Sequence, residues 1–168
     1  MHLDKTNGVG HAFLTIEKSN GSKMQRLSYG FYPKTENTWS MYSSVVSSIE
    51  SAIGEEDKNT SRVSDIRYEI KLEYKDKDKF QKIIDKSIEF QSKEYHGAKY
   101  NCTDYAIQVF NSVLGDNHQL NVPNSQNAGY KTPSSLYNYL NNMRRVNGNN
   151  NIKNNTISPT KSTTCKVN

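Results

Sequence analysis

One stretch near the start of the chain decides the fold, and it reads GHAFLTIEKSNGSKMQRLSYGFY over residues 10–32. Two runs of alternating apolar and polar residues stand on either side of the dipeptide Asn20-Gly21. This arrangement is the strongest short-range indication of a β-hairpin, because Asn-Gly adopts the tight turn that suits two twisted, paired strands. With Asn20 and Gly21 at the centre of the turn, the predicted register sets His11 opposite Gly30.

The alternation also divides this hairpin into two surfaces, since successive residues of a strand point to opposite faces. The more apolar surface consists of Ala12, Leu14, Ile16, Leu27, Tyr29 and Phe31. The other surface mixes polar and aromatic residues. The sequence therefore predicts that His11 lies at the end of a strand, on the mixed surface.

The remaining sequence predicts one further strand followed by helices. Residues 66–74 alternate between apolar and charged side chains, which is typical of a half-buried strand. In residues 76–94 the apolar side chains recur at helical spacing. A second helix is predicted to begin at Asn101 or Cys102, and a third begins at residues 132–133. Strands first and helices afterwards favour an α+β fold with an antiparallel sheet packed against helices.

The length of 168 residues suits one domain better than two. We expect a single domain, carrying any catalytic residues, over residues 1–146. Residues 147–168 are rich in asparagine and contain no aromatic side chain. Such a segment buries too little apolar surface to offset the entropy of ordering it, so it is predicted to be a disordered polar tail or a linker.

Charge and hydropathy exclude two classes of partner. The formal net charge is only +5, and charged residues alternate in sign in segments such as 76–79, so no concentrated basic stripe indicates nucleic-acid binding. No apolar run approaches the length of about 20 residues that a membrane-spanning helix needs, so membrane insertion is not expected. Residues 1–20 also lack the layout of a classical secretory signal peptide. We expect a monomer.

Cys102 is the first candidate for chemistry. A thiol in the first turn of a helix has a lowered pKa, because the helix dipole and the free N–H groups favour the thiolate. Asn101 suits the cap position of this helix, and Asp104 three residues later completes a variant of the capping box. The alternative is that Cys102 opens a buried stripe shared with Ala106 and Phe110, since free cysteine is among the most buried residue types.

His11 is the second candidate, because a nucleophilic cysteine needs a partner that takes and returns a proton. Gly10 before it leaves room for a substrate backbone. The alternatives are that His11 is an ordinary surface histidine, or that the base is His96, which precedes Cys102 and is followed by Gly97. Sequence proximity does not favour His96, since catalytic partners usually meet only in the fold.

Other chemistries lack their motifs. No His or Cys pair has zinc-like spacing, so no metal is expected. Gly8-Val9-Gly10 precedes a predicted strand instead of following one, so no nucleotide cofactor is expected either. Cys165 stands in a polar stretch, and two cysteines cannot form a disulfide framework.

Three motifs together resemble those of one enzyme family: Val9-Gly10-His11-Ala12-Phe13-Leu14, Tyr29-Gly30-Phe31-Tyr32-Pro33 and Tyr100-Asn101-Cys102-Thr103-Asp104-Tyr105-Ala106. They look like the strand and helix motifs of circularly permuted NlpC-like cysteine amidases, which have a papain-like fold. In the permuted arrangement the histidine strand precedes the cysteine helix, as it does here. Domains of this kind occur in RHS-type polymorphic toxins and among bacterial amidase effectors.

The resemblance implies a role for each residue of the site. Cys102 would be the nucleophile and His11 the general base and acid, while the Cys102 backbone N–H, with help from Asn101, would stabilise the oxyanion. The family places a further polar residue on the following strand to orient the histidine, and Ser28 and Tyr32 are the candidates here. The substrate is expected to bind along Gly10, Tyr29 and Gly30.

The resemblance also implies a function. We expect a cysteine amidase or peptidase that cleaves an amide of bacterial peptidoglycan stem peptides through an acyl-enzyme, as an antibacterial effector or toxin. Such a protein would be secreted, or delivered to the periplasm of a target cell by a specialised secretion system, and an immunity protein would be a natural partner. The alternatives are a protein-directed acyltransferase or deamidase with the same dyad, and a non-catalytic binding module whose surface is formed by Tyr29, Tyr32, Tyr42, Tyr68 and Tyr74.

Overall fold

A computed structural model describes residues 2–4, 10–19, 24–35, 44–55, 63–73 and 75–157. Within these residues, six strands form one antiparallel sheet. They are β1 (His2–Asp4), β2 (His11–Ser19), β3 (Met24–Pro33), β4 (Ser51–Glu55), β5 (Val63–Tyr68) and β6 (Ile152–Ile157). The order across the sheet is β4-β3-β2-β1-β5-β6. The helices that follow β5 are α1 (Lys77–Gln91), α2 (Cys102–Asn111) and α3 (Pro133–Asn147), with a short 3-10 turn at Asp116–His118.

The helices pack against the surface of the hairpin that the sequence identifies as apolar. Ala12 and Phe31 are fully buried in a core that includes Phe90 of α1 and Tyr105 of α2. The Phe31 ring meets the Phe90 ring edge-on at 5.4 Å and lies 6.0 Å from the Tyr105 ring. The predicted α+β class, with an antiparallel sheet against helices, is confirmed.

The hairpin is confirmed, but its predicted register is wrong by two residues. Phe13, and not His11, pairs with Gly30, because β2 ends at Ser19 and β3 begins at Met24, which leaves a connection longer than a two-residue turn. A shift by two residues does not exchange the two faces of the hairpin, since strand residues alternate with a period of two. Continued to the start of β2, this register brings Tyr32 opposite His11.

The sequence reasoning did not predict β1, which lies inside the sheet. Leu3 pairs with Ala12 on β2 and with Ile66 on β5, so this short strand joins the hairpin to the β5–β6 pair. Three residues are too few to show a recognisable alternation, and the pairing partners are distant in sequence. The neighbouring pair in the same register is Asp4 with His11.

The prediction of a disordered tail from residue 147 is wrong for residues 147–157. Helix α3 continues to Asn147 and ends at Gly148, whose φ of 61° is the left-handed conformation that glycine adopts most easily. Ile152–Ile157 then forms β6, which pairs with β5 at the edge of the sheet. Ile152 is only 3% exposed and belongs to the core, so it joins the start of β6 to the rest of the protein. Residues 158–168, including Cys165, lie outside the described residues.

Two further boundaries differ from the prediction. The strand expected over residues 66–74 runs from Val63 to Tyr68, and the helix expected over residues 76–94 runs from Lys77 to Gln91. None of the described helices is long and apolar enough to cross a membrane.

Replacing Ile152 with alanine should lower the free energy of unfolding by about 2–5 kcal/mol, because it leaves a cavity where β6 meets the core. Lys153→Ala is the matched control. Its ammonium pairs with Glu69 at 2.9 Å on an exposed surface, and such pairs contribute at most about 1 kcal/mol. Urea denaturation of both variants measures the difference; equal, negligible effects would contradict the assignment of β6.

Candidate active site

Asn101 fixes the N-terminus of α2. Its side-chain oxygen Oδ1 accepts hydrogen bonds from the backbone N–H groups of Thr103 at 2.8 Å and Asp104 at 3.1 Å. The Asp104 carboxylate in turn accepts from the backbone N–H of Asn101 at 3.4 Å. This reciprocal pair is the capping box that the sequence predicts, and it is confirmed.

The amide nitrogen of Asn101 ties the helix start to two loops. Its Nδ2 donates to the carbonyl oxygens of Gly97 at 2.7 Å and Lys131 at 2.9 Å. Both amide hydrogens are therefore used, and Asn101 is 5% exposed. The expectation that the Asn101 side chain donates to an oxyanion is not supported by this geometry, because no hydrogen remains for that purpose.

His11 and Cys102 meet where β2 begins beside the N-terminus of α2. The His11 imidazole forms a hydrogen bond with Sγ of Cys102, and the backbone N–H of Ala12 donates a second one to the same sulfur. Burial raises the pKa of the Cys102 thiol, but the charge of His11 and these hydrogen bonds outweigh it, so the pKa lies below its ordinary value. The structure thus brings the two predicted residues together and favours a thiolate.

Local backbone and ring contacts hold His11 in place. Gly10 has a φ of 70°, a left-handed conformation that favours glycine at the entry to β2. The Tyr32 ring stacks on the imidazole with centroids 4.5 Å apart and an interplanar angle of 22°. The Phe13 ring lies 6.1 Å from it on the same strand. These contacts limit the imidazole to a narrow range of orientations.

The hydroxyl of Tyr95 is a further polar group at the sulfur, and sequence reasoning missed it. It is within hydrogen-bonding reach of Sγ of Cys102, and it accepts from the backbone N–H of Cys102. Burial raises the pKa of Tyr95 far above its ordinary value, and the adjacent Cys102 sulfur raises it further. The hydroxyl therefore remains a proton donor at neutral pH.

Tyr95 owes its position to a short bridge and an aromatic contact. Its backbone exchanges two hydrogen bonds with Ile49, of 2.8 and 2.9 Å, and its ring lies 5.4 Å from that of Phe31. The tight turn from His96 to Tyr100 then returns the chain to Cys102. The one signal in the sequence is that Tyr95 directly follows the predicted helix of residues 76–94 and precedes His96-Gly97, where glycine favours a reversal of the chain.

His96, the alternative base, has a structural role in that turn. It is 8% exposed, and its Nδ1 accepts a hydrogen bond from the backbone N–H of Ala98 at 3.1 Å. Its own backbone exchanges two hydrogen bonds with Tyr100. The ring thus satisfies a backbone donor inside a five-residue reversal that precedes α2.

In the observed register, the two candidates for orienting His11, Ser28 and Tyr32, lie at different distances from it along β3. Ser28 lies opposite Thr15 and forms a hydrogen bond with its hydroxyl at 2.8 Å, farther along the strands from His11. Tyr32 lies beside His11, but it meets the imidazole through its ring face. Stacking fixes the plane of the imidazole and supplies no counter-charge.

The residues expected to bind substrate fall in different places. Gly10 directly precedes His11 at the site. Gly30 pairs with Phe13 and with Gly54, and Tyr29 pairs with Leu14 on the surface that faces the helices. Of the tyrosines proposed for a binding surface, Tyr68 is buried against Phe110 with ring centroids 5.0 Å apart, and Tyr42 and Tyr74 lie outside the described residues.

The site combines a sulfur nucleophile and a proton carrier with the Ala12 N–H and the Tyr95 hydroxyl next to the sulfur, drawn from β2, α2 and the segment before α2. A cavity of 470 Å³ lies elsewhere, along the far ends of β2 and α2, and its lining contains neither Cys102 nor His11. Comparison of the chain with models of known protein families, with curated proteins and with solved structures found no match.

Replacing Tyr95 with phenylalanine should raise the pKa of the Cys102 thiol, because the thiolate loses a hydrogen-bond donor. The midpoint of iodoacetamide labelling against pH should rise by about 0.5–1 unit. Tyr105→Phe is the control, since this hydroxyl belongs to the same aromatic cluster and contacts Ser87 at 3.4 Å. Equal shifts in both variants would assign the effect to packing and not to the Tyr95 hydroxyl.

Replacing Asn101 with alanine should cost at least about 2 kcal/mol of stability, since it removes the helix cap and leaves two carbonyls without their donor. Thr132→Ala removes only the cap of α3, where Oγ1 accepts from Ser135 at 3.1 Å, and should cost about 1 kcal/mol. Thermal or urea denaturation compares them. If Asn101→Ala lowers the free energy of unfolding no more than Thr132→Ala does, the hydrogen bonds to Gly97 and Lys131 contribute little to stability.

Proposed function

We propose that the protein is a cysteine amidase or peptidase in which Cys102 is the nucleophile and His11 the general base and acid. The observation that carries this proposal is the hydrogen bond between the His11 imidazole and Sγ of Cys102, at a helix N-terminus, with the thiol pKa held below its ordinary value. A cysteine with only a structural role in the core would have its pKa raised by burial.

The same geometry supports a complete reaction. The Cys102 thiolate attacks the carbonyl carbon of an amide, and the resulting oxyanion receives hydrogen bonds from the Cys102 backbone N–H and the Tyr95 hydroxyl. Collapse of this intermediate breaks the C–N bond, and His11 gives its proton to the leaving amine. His11 then removes a proton from water, which attacks the thioester, and breaking the C–S bond releases a carboxylic acid.

The Tyr95 hydroxyl has two roles in this reaction, one before the substrate binds and one when the oxyanion forms. In the free protein its oxygen accepts from the Cys102 N–H, which would otherwise be an unsatisfied donor at the helix N-terminus. An oxyanion is a stronger acceptor than a neutral hydroxyl, so it takes over this N–H and also receives the Tyr95 O–H. The charge-stabilising groups are therefore already in place before the substrate binds.

The order of elements supports a permuted papain-like arrangement. The histidine strand β2 precedes the cysteine helix α2, and α2 packs against β2 and β3. The three motifs quoted above for the NlpC-like amidases supply Gly10 and His11, Tyr32, and the Asn101-Cys102 pair, all of which belong to the site described here.

The substrate and setting follow from the same resemblance. We infer peptidoglycan stem peptides as the substrate class and an antibacterial toxin or effector as the biological role, with delivery to a target cell by a specialised route. Product analysis separates hydrolysis from its closest alternatives, because acyl transfer and deamidation start from the same thioester but give a new amide or a converted side chain.

Labelling with iodoacetamide tests the dyad directly. In a Cys165→Ser background, Cys102 should react fast well below pH 8, and His11→Ala should slow labelling at pH 6.5 by up to about 100-fold, because an ordinary thiol with a pKa near 8.5 is about 1% thiolate there. His118→Ala, at an exposed histidine, is the matched control and should change nothing.

The same variants should then be incubated with purified stem peptides and the products identified by mass spectrometry. Hydrolysis that is lost in Cys102→Ser and His11→Ala but retained in Cys165→Ser would support the proposal. Labelling with a midpoint near pH 8.5 that His11→Ala does not change would overturn it and favour a binding module.

A further inference from the structure

The sheet contains a gap that lies in line with β1. This short strand pairs with β2 and β5 at the same time, and His2 is opposite Phe13 on one side and Arg67 on the other. β2 continues beyond Phe13 to Ser19, whereas the described part of β1 begins at His2. Where β1 lies between them, β2 and β5 are two strand spacings apart, which is about 10 Å.

The cavity of 470 Å³ lies in this gap. It is lined on one side by residues 14–17 of β2 and on the other by residues 67–72. Successive residues of an extended chain point to opposite faces, so a cavity on one face of a complete sheet would contact only every second residue. This cavity contacts every residue of both stretches, so it passes through the plane of the sheet. We call it the strand gap.

The strand gap has an apolar floor and a balanced charge. Helices α1 and α2 close one face of it with Phe80, Ile83, Val109, Phe110 and Val113. The charged residues of its lining are two acids and two bases, Glu17, Glu69, Arg67 and Lys71. An occupant with a net charge would gain no overall attraction from such a lining, so a neutral occupant with an apolar face fits it best.

Arg67 supplies a donor without an acceptor in the lining of the gap. Its terminal nitrogen Nη2 pairs with the Glu69 carboxylate at 2.8 Å, so its charge is compensated. Its Nε is buried and has no hydrogen-bond partner within the part of the chain that the structure describes. A peptide carbonyl oxygen would accept from this N–H without adding a second negative charge.

We propose that the strand gap is a docking site for an extended segment of a partner polypeptide, which adds a strand in line with β1. The segment is uncharged and directs an apolar side chain towards α1 and α2 at every second position. Main-chain hydrogen bonds supply affinity in this mode of recognition, and contacts of alternate side chains supply specificity. Neither Cys102 nor His11 lines the gap, so the inference does not depend on the proposed cysteine chemistry.

The probe is a blocked hexapeptide of alternating valine and threonine, titrated into the isotope-labelled full chain and followed by the NMR shifts of its amides. Saturable shifts should centre on residues 14–17 and 67–72, and hydrogen exchange should slow at alternate amides of residues 14–17. The control is the same peptide with every backbone N–H methylated, which keeps the side chains but cannot donate to a strand. It should bind at least about tenfold more weakly.

Matched variants locate the binding. Ile83→Glu places a carboxylate in the apolar floor and should weaken binding of the hexapeptide at least about tenfold. Ile84→Glu is its control, because Ile84 is 50% exposed and does not line the gap. Arg67→Lys keeps the positive charge but removes the Nε donor, and it should weaken binding about fivefold even if Ile83→Glu does not fold.

Three results would overturn the proposal. The first is the absence of saturable shifts at residues 14–17 and 67–72, or equal binding of the methylated peptide. The second is a set of shifts centred on His11 and Cys102, which would identify the hexapeptide as a ligand of the candidate active site. The third is that octanol, or a higher protein concentration alone, produces the shifts and the hexapeptide does not, which would assign the gap to a small apolar molecule or to a second copy of the chain.

Iodoacetamide labelling separates this inference from the proposed function. Arg67→Lys should leave the rate of Cys102 labelling at pH 6.5 unchanged, since Arg67 belongs to the strand gap and not to the candidate active site. Failure of the hexapeptide to bind, together with fast labelling that depends on His11, would remove the docking site and leave the cysteine chemistry standing. Binding together with slow labelling that does not depend on His11 would do the reverse.

Discussion

The hydrogen bonds of the Asn101 side chain are the constraint on which the rest of the site depends. Four bonds from one buried amide cap α2 and tie its start to the carbonyls of Gly97 and Lys131. Because α2 also packs along β2 and β3, this anchor decides where the sulfur of Cys102 meets the first residues of β2. The charged form of a thiol needs donors at fixed positions, and a frayed helix end would not provide them.

The sheet contributes the other half of the site, and it does so with residues that also build the core. The Ala12 side chain is fully buried in the core, while the backbone N–H of the same residue donates a hydrogen bond to the Cys102 sulfur. Phe31 packs in the core and also contacts the ring of Tyr95, whose hydroxyl completes the surroundings of Cys102. Stability and chemistry are therefore coupled, because the contacts that hold β2 and β3 against the helices also position the polar groups.

The errors of sequence reasoning have a common physical origin. The hairpin and its faces could be predicted from alternation, but the register depends on the length of the connection, and that length differs from the one the Asn-Gly signal favours. Strand β1 is three residues long, and the four central residues of β6, 153–156, are all polar. Both strands form because they pair with strands that are distant in the sequence. The local sequence pattern does not indicate such partners, so neither strand could be predicted from it.

The sequence by itself determined the elements that depend on local interactions. These are the hairpin, the capping box that begins α2, the proline-initiated start of α3, and the two candidates Cys102 and His11, since dipoles, caps and alternation act within a few residues. Only the tertiary structure decided that His11 reaches the sulfur, that Tyr95 joins them, and that the Tyr32 ring stacks on the imidazole. Those relations require segments distant in the chain to be brought together, and burial of the shared core supplies the free energy that does so.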